Sequence, residues 1–195
     1  MSILIVSGSP RKNGNTSKLV ASFSELLTKR GLEHEIFIPN PIQSKPCVHC
    51  EGCRRVLNKC VVKDSIQPVL DLIASRHFDT IVFASPIYFF SFSAQTKLFI
   101  DRLYSQQLDD VVLGTILVSG SNFIDGGADL TIETLRRTCR FTGALWGGAF
   151  YKCTYDEKLD VNELDLYNLE SLIDSLLCAK EREPFIDIDS KLIID

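Results

Sequence analysis

The chain has 195 residues, 45% of them hydrophobic and 24% charged, the composition of a compact globular domain long enough for a two-faced core. A net charge of −4 with no basic run or stripe argues against nucleic acid as a partner, and no apolar stretch reaches the roughly 18 residues of a membrane span. Seven cysteines, an odd number with three packed into 47–53, argue against a secreted disulfide scaffold; no secretory signal is visible, so a reducing, cytoplasmic home is expected.

Short β-rich runs alternate with amphipathic segments from end to end. Ile3–Ser7 is the first predicted strand, and the spacing predicts a helix from Thr16 to Arg30 closed by Gly31. Glu33–Ile38 is the second strand. Pro39, Pro41 and Pro46 then make a segment too proline-rich to be regular, which leads into the cysteines. Helix Ser65–Arg76 precedes strand Thr80–Ser85, and helix Ala94–Leu103 precedes strand Leu113–Ser119. Helix Asp129–Thr142, strand Ala144–Tyr151 and helix Asn162–Lys180 complete the pattern.

Five strands alternating with helices predict a parallel sheet covered on both faces, an α/β three-layer sandwich. Right-handed crossovers give the flavodoxin-like strand order 2-1-3-4-5, with its ligand crevice at the switch point between strands one and three. The loops there are residues 8–16 and 86–93, the most distinctive sequence in the chain. A single domain over 1–180 is expected, with 181–195 as a C-terminal arm. That arm holds Phe185, Ile186, Ile188, Leu192, Ile193 and Ile194, and is expected to pack on its own body or on a partner chain.

Charge is distributed unevenly. Residues 1–155 carry 17 basic and 13 acidic groups, and 156–195 carry 4 and 12. No acidic residue precedes Glu25, whereas Arg11, Lys12 and Lys18 lie in or beside the first turn. That turn, Ser7-Gly-Ser-Pro-Arg-Lys-Asn-Gly-Asn-Thr-Ser-Lys18, offers backbone N–H groups, the positive end of a helix dipole, hydroxyls and an arginine. It matches neither G-x-G-x-x-G nor the G-x-x-x-x-G-K-[ST] loop, since five residues rather than four separate Gly8 from Gly14 and Asn15-Thr16 follows without a lysine. A terminal phosphate monoester on a small molecule suits it, with Ser9, Asn15, Thr16 and Ser17 donating and Arg11 clamping from outside. The simpler alternative is a tight turn with Thr16 or Asn15 as helix cap.

In the segment Ser85-Pro-Ile-Tyr-Phe-Phe-Ser-Phe92, a stiff exit is followed by four aromatic rings, a surface for a flat, partly apolar ring system. Tyr88 and Phe89 are the ligand candidates, and Phe90 and Phe92 are assigned to the core. Lys97 and Asp101 form an i, i+4 surface pair, and Arg102 serves packing or an interface. Gly126-Gly127 before a helix reads as a turn. Cys47, Cys50, Cys53 and Cys60 give C-x2-C-x2-C-x6-C, too tight for two zinc knuckles. Three readings stay open: a [4Fe–4S] cluster, free or redox-active thiols, and zinc. Arg54, Arg55, Lys59 and Lys63 would lower nearby thiol pKa values and offset a cluster's negative charge. His49 is taken as a loop residue, and Cys139, Cys153 and Cys178 as buried apolar positions.

With S-G-S-P-R-K-N-G-N-T at 7–16, the cysteines and Lys-Asp at 47–64, S-P-I-Y-F with K-x-F-I-D-R at 85–102, and the glycine-bearing loop at 119–128, the chain resembles the NADPH-dependent FMN reductase and iron–sulfur flavoprotein family. The resemblance implies non-covalent FMN, its phosphate in the first loop and its ring against Pro86, Ile87, Tyr88 and Phe89. It also implies that the 119–128 loop, with Ser119, Gly120, Gly126 and Gly127, closes on the ring's polar edge. Iron–sulfur members have a similarly compact cysteine set. The chain carries no G-x-S-x-G elbow, no C-x5-R motif and no histidine with a carboxylate in motif spacing, so chemistry falls to a cofactor.

The leading expectation is an FMN-dependent oxidoreductase that takes hydride from transiently bound NAD(P)H and passes electrons to a small acceptor such as flavin or quinone. A second is an iron–sulfur flavoprotein electron carrier fed by ferredoxin through Cys47–Cys60, and a third is a non-catalytic flavin-binding module. The family also implies a homodimer or homotetramer with FMN near the interface.

Overall fold

The computed structural model describes residues 1–56, 59–155 and 157–179, so the 181–195 arm lies outside the described residues. Five parallel strands form the sheet: β1 (Ser2–Ser7), β2 (Glu33–Phe37), β3 (Thr80–Tyr88), β5 (Val112–Ser119) and β6 (Leu145–Cys153), in the order β2-β1-β3-β5-β6. The two-residue β4 (Ser91–Phe92) pairs antiparallel with the end of β3. With that hairpin strand set aside, the order is the flavodoxin-like 2-1-3-4-5 expected from the sequence.

Burial on both faces explains why the strands read as apolar runs rather than alternating ones. Ile3 and Ile5 of β1 point into one core and Leu4 and Val6 into the other; Val82 and Ala84 of β3 divide from Ile81 and Phe83 in the same way. The first core is closed by α1 (Asn15–Lys29) and α6 (Glu163–Cys178). The second is closed by α3 (Gln67–Ala74), α4 (Ala94–Ile100) and α5 (Ala128–Thr142). Trapped between the layers, β1 keeps Ile3, Ile5 and Val6 at 0% exposure.

Several boundaries differ from expectation. Strand β3 runs three residues past Ser85, because pairing of Ile87 with Phe92 and Tyr88 with Ser91 prolongs it into a hairpin. A four-residue helix, α2 (Gly52–Arg55), forms inside the cysteine segment, where proline content suggested none. Helix α4 stops at Ile100 and tightens into a 3-10 turn over Asp101–Ser105. Phe92 is buried as assigned, but Phe90 is 53% exposed, lifted out by the hairpin turn. Cys139 is buried, Cys153 half-buried and Cys178 exposed on the last turn of α6, which corrects the reading of all three as core. Burial pushes the Cys139 thiol up to about 12 and so holds it protonated at neutral pH.

Candidate functional site

The first turn leaves β1 at Ser7 and enters α1 at Asn15 with Gly14 as its N-cap, and no side chain caps the helix. Neither Asn15 nor Thr16 therefore acts as the cap, and the first-turn N–H groups face the crevice. Ser9 and Ser17 shape the turn around the backbone of Arg11. The Ser9 hydroxyl donates to the Arg11 carbonyl (3.2 Å) and accepts from its N–H (3.3 Å), while Ser17 donates to that carbonyl at 2.9 Å. Asn15 holds the far side of the site, donating to the carbonyl of Glu157 (2.7 Å) and accepting from the N–H of Leu159 (2.9 Å). Lys18 donates to the Leu159 carbonyl, so this cation ties down the same segment.

A buried set of hydroxyls welds the turn to the end of β3 and the start of α4. Ser93 Oγ donates to the Gly8 carbonyl (2.6 Å), Thr96 Oγ1 donates to Ser85 Oγ (2.9 Å), and Ser85 Oγ accepts from the Ser93 N–H (3.0 Å). Gly8 has to be glycine, since a Cβ there would lie 1.8 Å from Thr96 Oγ1. Sequence reasoning passed over Ser85, Ser93 and Thr96. Nothing local marked them: Ser85 read as a strand end, Ser93 as loop and Thr96 as helix.

Ser9, Arg11, Asn15, Thr16, Pro86, Ile87, Tyr88, Ser119 and Gly120 all line one cleft of about 410 Å³. A further wall comes from Thr154, Glu157 and Lys158, which the sequence reading did not single out. Ser17 supports the turn from outside this cleft. A second hollow, of about 280 Å³, shares Ile87, Ser119 and Gly120 with the first and adds Phe89, Phe90 and Gly126, so the two adjoin. Gly127 lies beneath the hairpin with φ +73, where a Cβ would meet Phe90 Cα at 2.5 Å. The 119–127 loop is set by Tyr151, whose hydroxyl bonds to Ser119 Oγ (2.8 Å) and to the Ser121 carbonyl. Burial pushes the Tyr151 phenol up, against the pull of the Ser119 hydrogen bond.

An uncapped helix terminus, a glycine cradle and a half-exposed Pro86–Tyr88 edge fit a ligand with an anionic end and a flat ring. The volume lies within the range of small-molecule sites.

Cys47, Cys50, Cys53 and Cys60 line one pocket of about 30 Å³. Cys47 and Cys50 are exposed, Cys53 is intermediate and Cys60 is buried. Among the described residues no three ligating side chains converge on a metal position. Four thiols border this pocket, but as the structure places them they form no metal site. Arg102, left as packing or interface by the sequence, is buried against Asp64, with side chains 0% and 1% exposed and an N–O distance of 2.8 Å. Burial opposes the Arg102 charge, but its hydrogen bonds to Asp64 and the nearby Cys60 sulfur outweigh it and raise the pKa. For Asp64 burial pushes up, and Arg102 together with the Lys45 N–H holds the carboxyl below the usual range.

Residues 1–145 match the model of the family described as NADPH-dependent FMN reductase. The chain belongs to this family. An iron–sulfur flavoprotein of Methanocaldococcus jannaschii is 32% identical over 139 residues, 69% of this chain and 69% of its own length. Among solved structures, a flavodoxin of Streptococcus pneumonia TIGR4 superimposes with a TM-score of 0.60 at 17% identity, covering 91% of this chain and 99% of that one. The apo form of an NADH:FMN oxidoreductase (EMOB) superimposes with a TM-score of 0.64 at 20% identity, covering 94% and 91%. These two likenesses are of fold. Membership of the FMN reductase family makes the chain an FMN-dependent oxidoreductase, and the Thr154–Lys158 wall lies beyond the part that the family model matches.

Proposed function

We propose that this FMN reductase family member takes reducing equivalents from NAD(P)H and delivers them to a small acceptor such as free flavin or a quinone. The observation that carries this reading is the pair of adjoining hollows, lined by an uncapped helix terminus and Arg11 on one side and by Pro86–Tyr88, Ser119 and Gly120 on the other. FMN, when bound, would supply the redox chemistry by accepting hydride and returning electrons. The first-turn N–H groups of α1, the Thr16 hydroxyl and Arg11 would hold the phosphate. Pro86, Ile87 and Tyr88 would flank the ring, and Ser119 and Gly120 would meet its polar edge. Tyr151, kept protonated by burial, would hold that loop in place. Among the described residues there is no second dinucleotide-binding unit, so donor and acceptor would use one opening in turn, a ping-pong arrangement. Exposed Tyr104, Leu130 and Phe141 support a homodimer or homotetramer, and the cysteine usage supports a cytoplasmic setting.

The test is anaerobic addition of NADH and NADPH to FMN-loaded protein. Bleaching of the yellow flavin with either donor is expected, and FMN that stays oxidised under excess of both removes the reductase reading. In the same preparation Arg11→Ala should weaken FMN binding by about tenfold, the loss of a charge-assisted bond.

The shared four-thiol pocket, together with relatives named as iron–sulfur flavoproteins, favours a second reading: an electron carrier taking single electrons from a ferredoxin through Cys47–Cys60. Iron and sulfide analysis of anaerobically purified protein separates the two.

A further inference from the structure

We propose that Lys158, which lies beyond the residues matched by the family model, is a second cation of the cleft's anion-binding end, so that it and Arg11 grip a terminal phosphate from two separate segments. The inference rests on the reading above, that FMN lies with its phosphate at the β1–α1 turn.

Lys158 is exposed, but the backbone on either side of it is fixed. The Asn15 carboxamide bonds to both peptide groups that flank it: Nδ2 donates to the Glu157 carbonyl (2.7 Å), and Oδ1 accepts from the Leu159 N–H (2.9 Å). Lys18 donates to the Leu159 carbonyl, and the Leu159 side chain is buried in the core beneath α1 and α6. Asn15 is the first residue of α1, so Lys158 is pinned beside the helix terminus that no side chain caps. A lysine carries its ammonium donors on a flexible four-carbon stem, which lets them follow an anion seated at that terminus.

Thr16 marks the same end independently. It is 2% exposed and lines the cleft, and among the described residues its hydroxyl has no hydrogen-bond partner. A buried hydroxyl left without a partner and opening onto a cleft is a donor held for a ligand. The charged groups of the lining are Arg11, Lys158 and Glu157, two cations against one carboxylate, and the α1 terminus adds to the positive side. An ordinary solvated lysine gains nothing from a backbone tied on both sides to a helix terminus, whereas a phosphate ligand gains a cation held in place.

Full-length apoprotein is titrated with FMN and with riboflavin, which lacks only the phosphate, and quenching of flavin fluorescence is followed for the parent, Lys158→Gln and Lys158→Arg. Lys158→Gln should weaken FMN binding by about fivefold, the upper end for a solvent-facing ion pair, and leave riboflavin binding unchanged. Lys158→Arg, which restores the charge, should keep most of the FMN affinity. Unchanged FMN affinity in Lys158→Gln overturns the proposal. An equal loss for FMN and riboflavin also overturns it, because the residue then shapes the wall rather than meeting the phosphate. Failure of the underlying reading looks different: a parent that holds FMN no more tightly than riboflavin removes the phosphate placement itself, and the role of Lys158 with it.

Discussion

Phe89 and Phe90 occupy left-handed backbone, with φ +47 and +63, at the tip of the β3–β4 hairpin. A two-residue hairpin loop of this kind favours Asn-Gly, and an ordinary side chain there costs about 1–2 kcal/mol. Phe89 has no packing to offset that cost, being 97% exposed beside the ring end of the cleft. Strain without local compensation next to a binding site points to a role in ligand contact. Phe89→Gly should therefore raise the urea midpoint by an amount equal to about 1 kcal/mol. The same change should raise the KM for the electron acceptor. A protein made more stable with unaltered kinetics would leave the ring without a role. The sequence made Phe89 visible as an aromatic in a loop, but the left-handed turn was hidden, because Phe-Phe carries none of the usual signs of such a turn.

Among the elements, the Lys45–Asp64 segment is fastened by one buried ion pair rather than by apolar packing. Removing one partner of such a pair costs about 3–5 kcal/mol. Its pH dependence follows from Asp64, whose carboxyl is held below its unfolded value. The stabilisation is complete above about pH 4, the unfolded carboxylate range, and is lost as pH falls through the lower folded value. In urea melts the parent should be more stable than Asp64→Asn at pH 7, and the gap should narrow steadily below pH 4. A constant gap would mean the charge is not what holds the segment. The five long strands and five long helices were legible because period and breakers encode them, and right-handed crossovers then gave the strand order. Hairpin strand β4 and helix α2 were not, since two and four residues carry no periodicity. The Arg102–Asp64 link was also illegible: a contact between residues 38 apart leaves no local trace.

Across the whole molecule, the C-terminal ends of β1, β3 and β5 and the segment after β6 all meet at one edge of the sheet, where the cleft lies. Most of the cleft's lining could be read from two loops, because the strand order fixes where ligands sit. The Glu157–Lys158 wall could not, since tertiary hydrogen bonds from Asn15 and Lys18 hold it there. Asn15→Ala removes two hydrogen bonds worth about 1 kcal/mol each and should speed FMN dissociation about tenfold, as followed by recovery of flavin fluorescence. Unchanged dissociation would show that the wall does not retain the ligand. No helix among the described residues is long and apolar enough to cross a membrane.

Asn15 emerges early in synthesis, and its partners at Glu157 and Leu159 come 142 and 144 residues later. If FMN sits in this cleft as proposed, a nascent chain that ends short of Glu157 has the β1–α1 turn but lacks the wall that Asn15 holds, and cofactor retention waits for the segment just before α6.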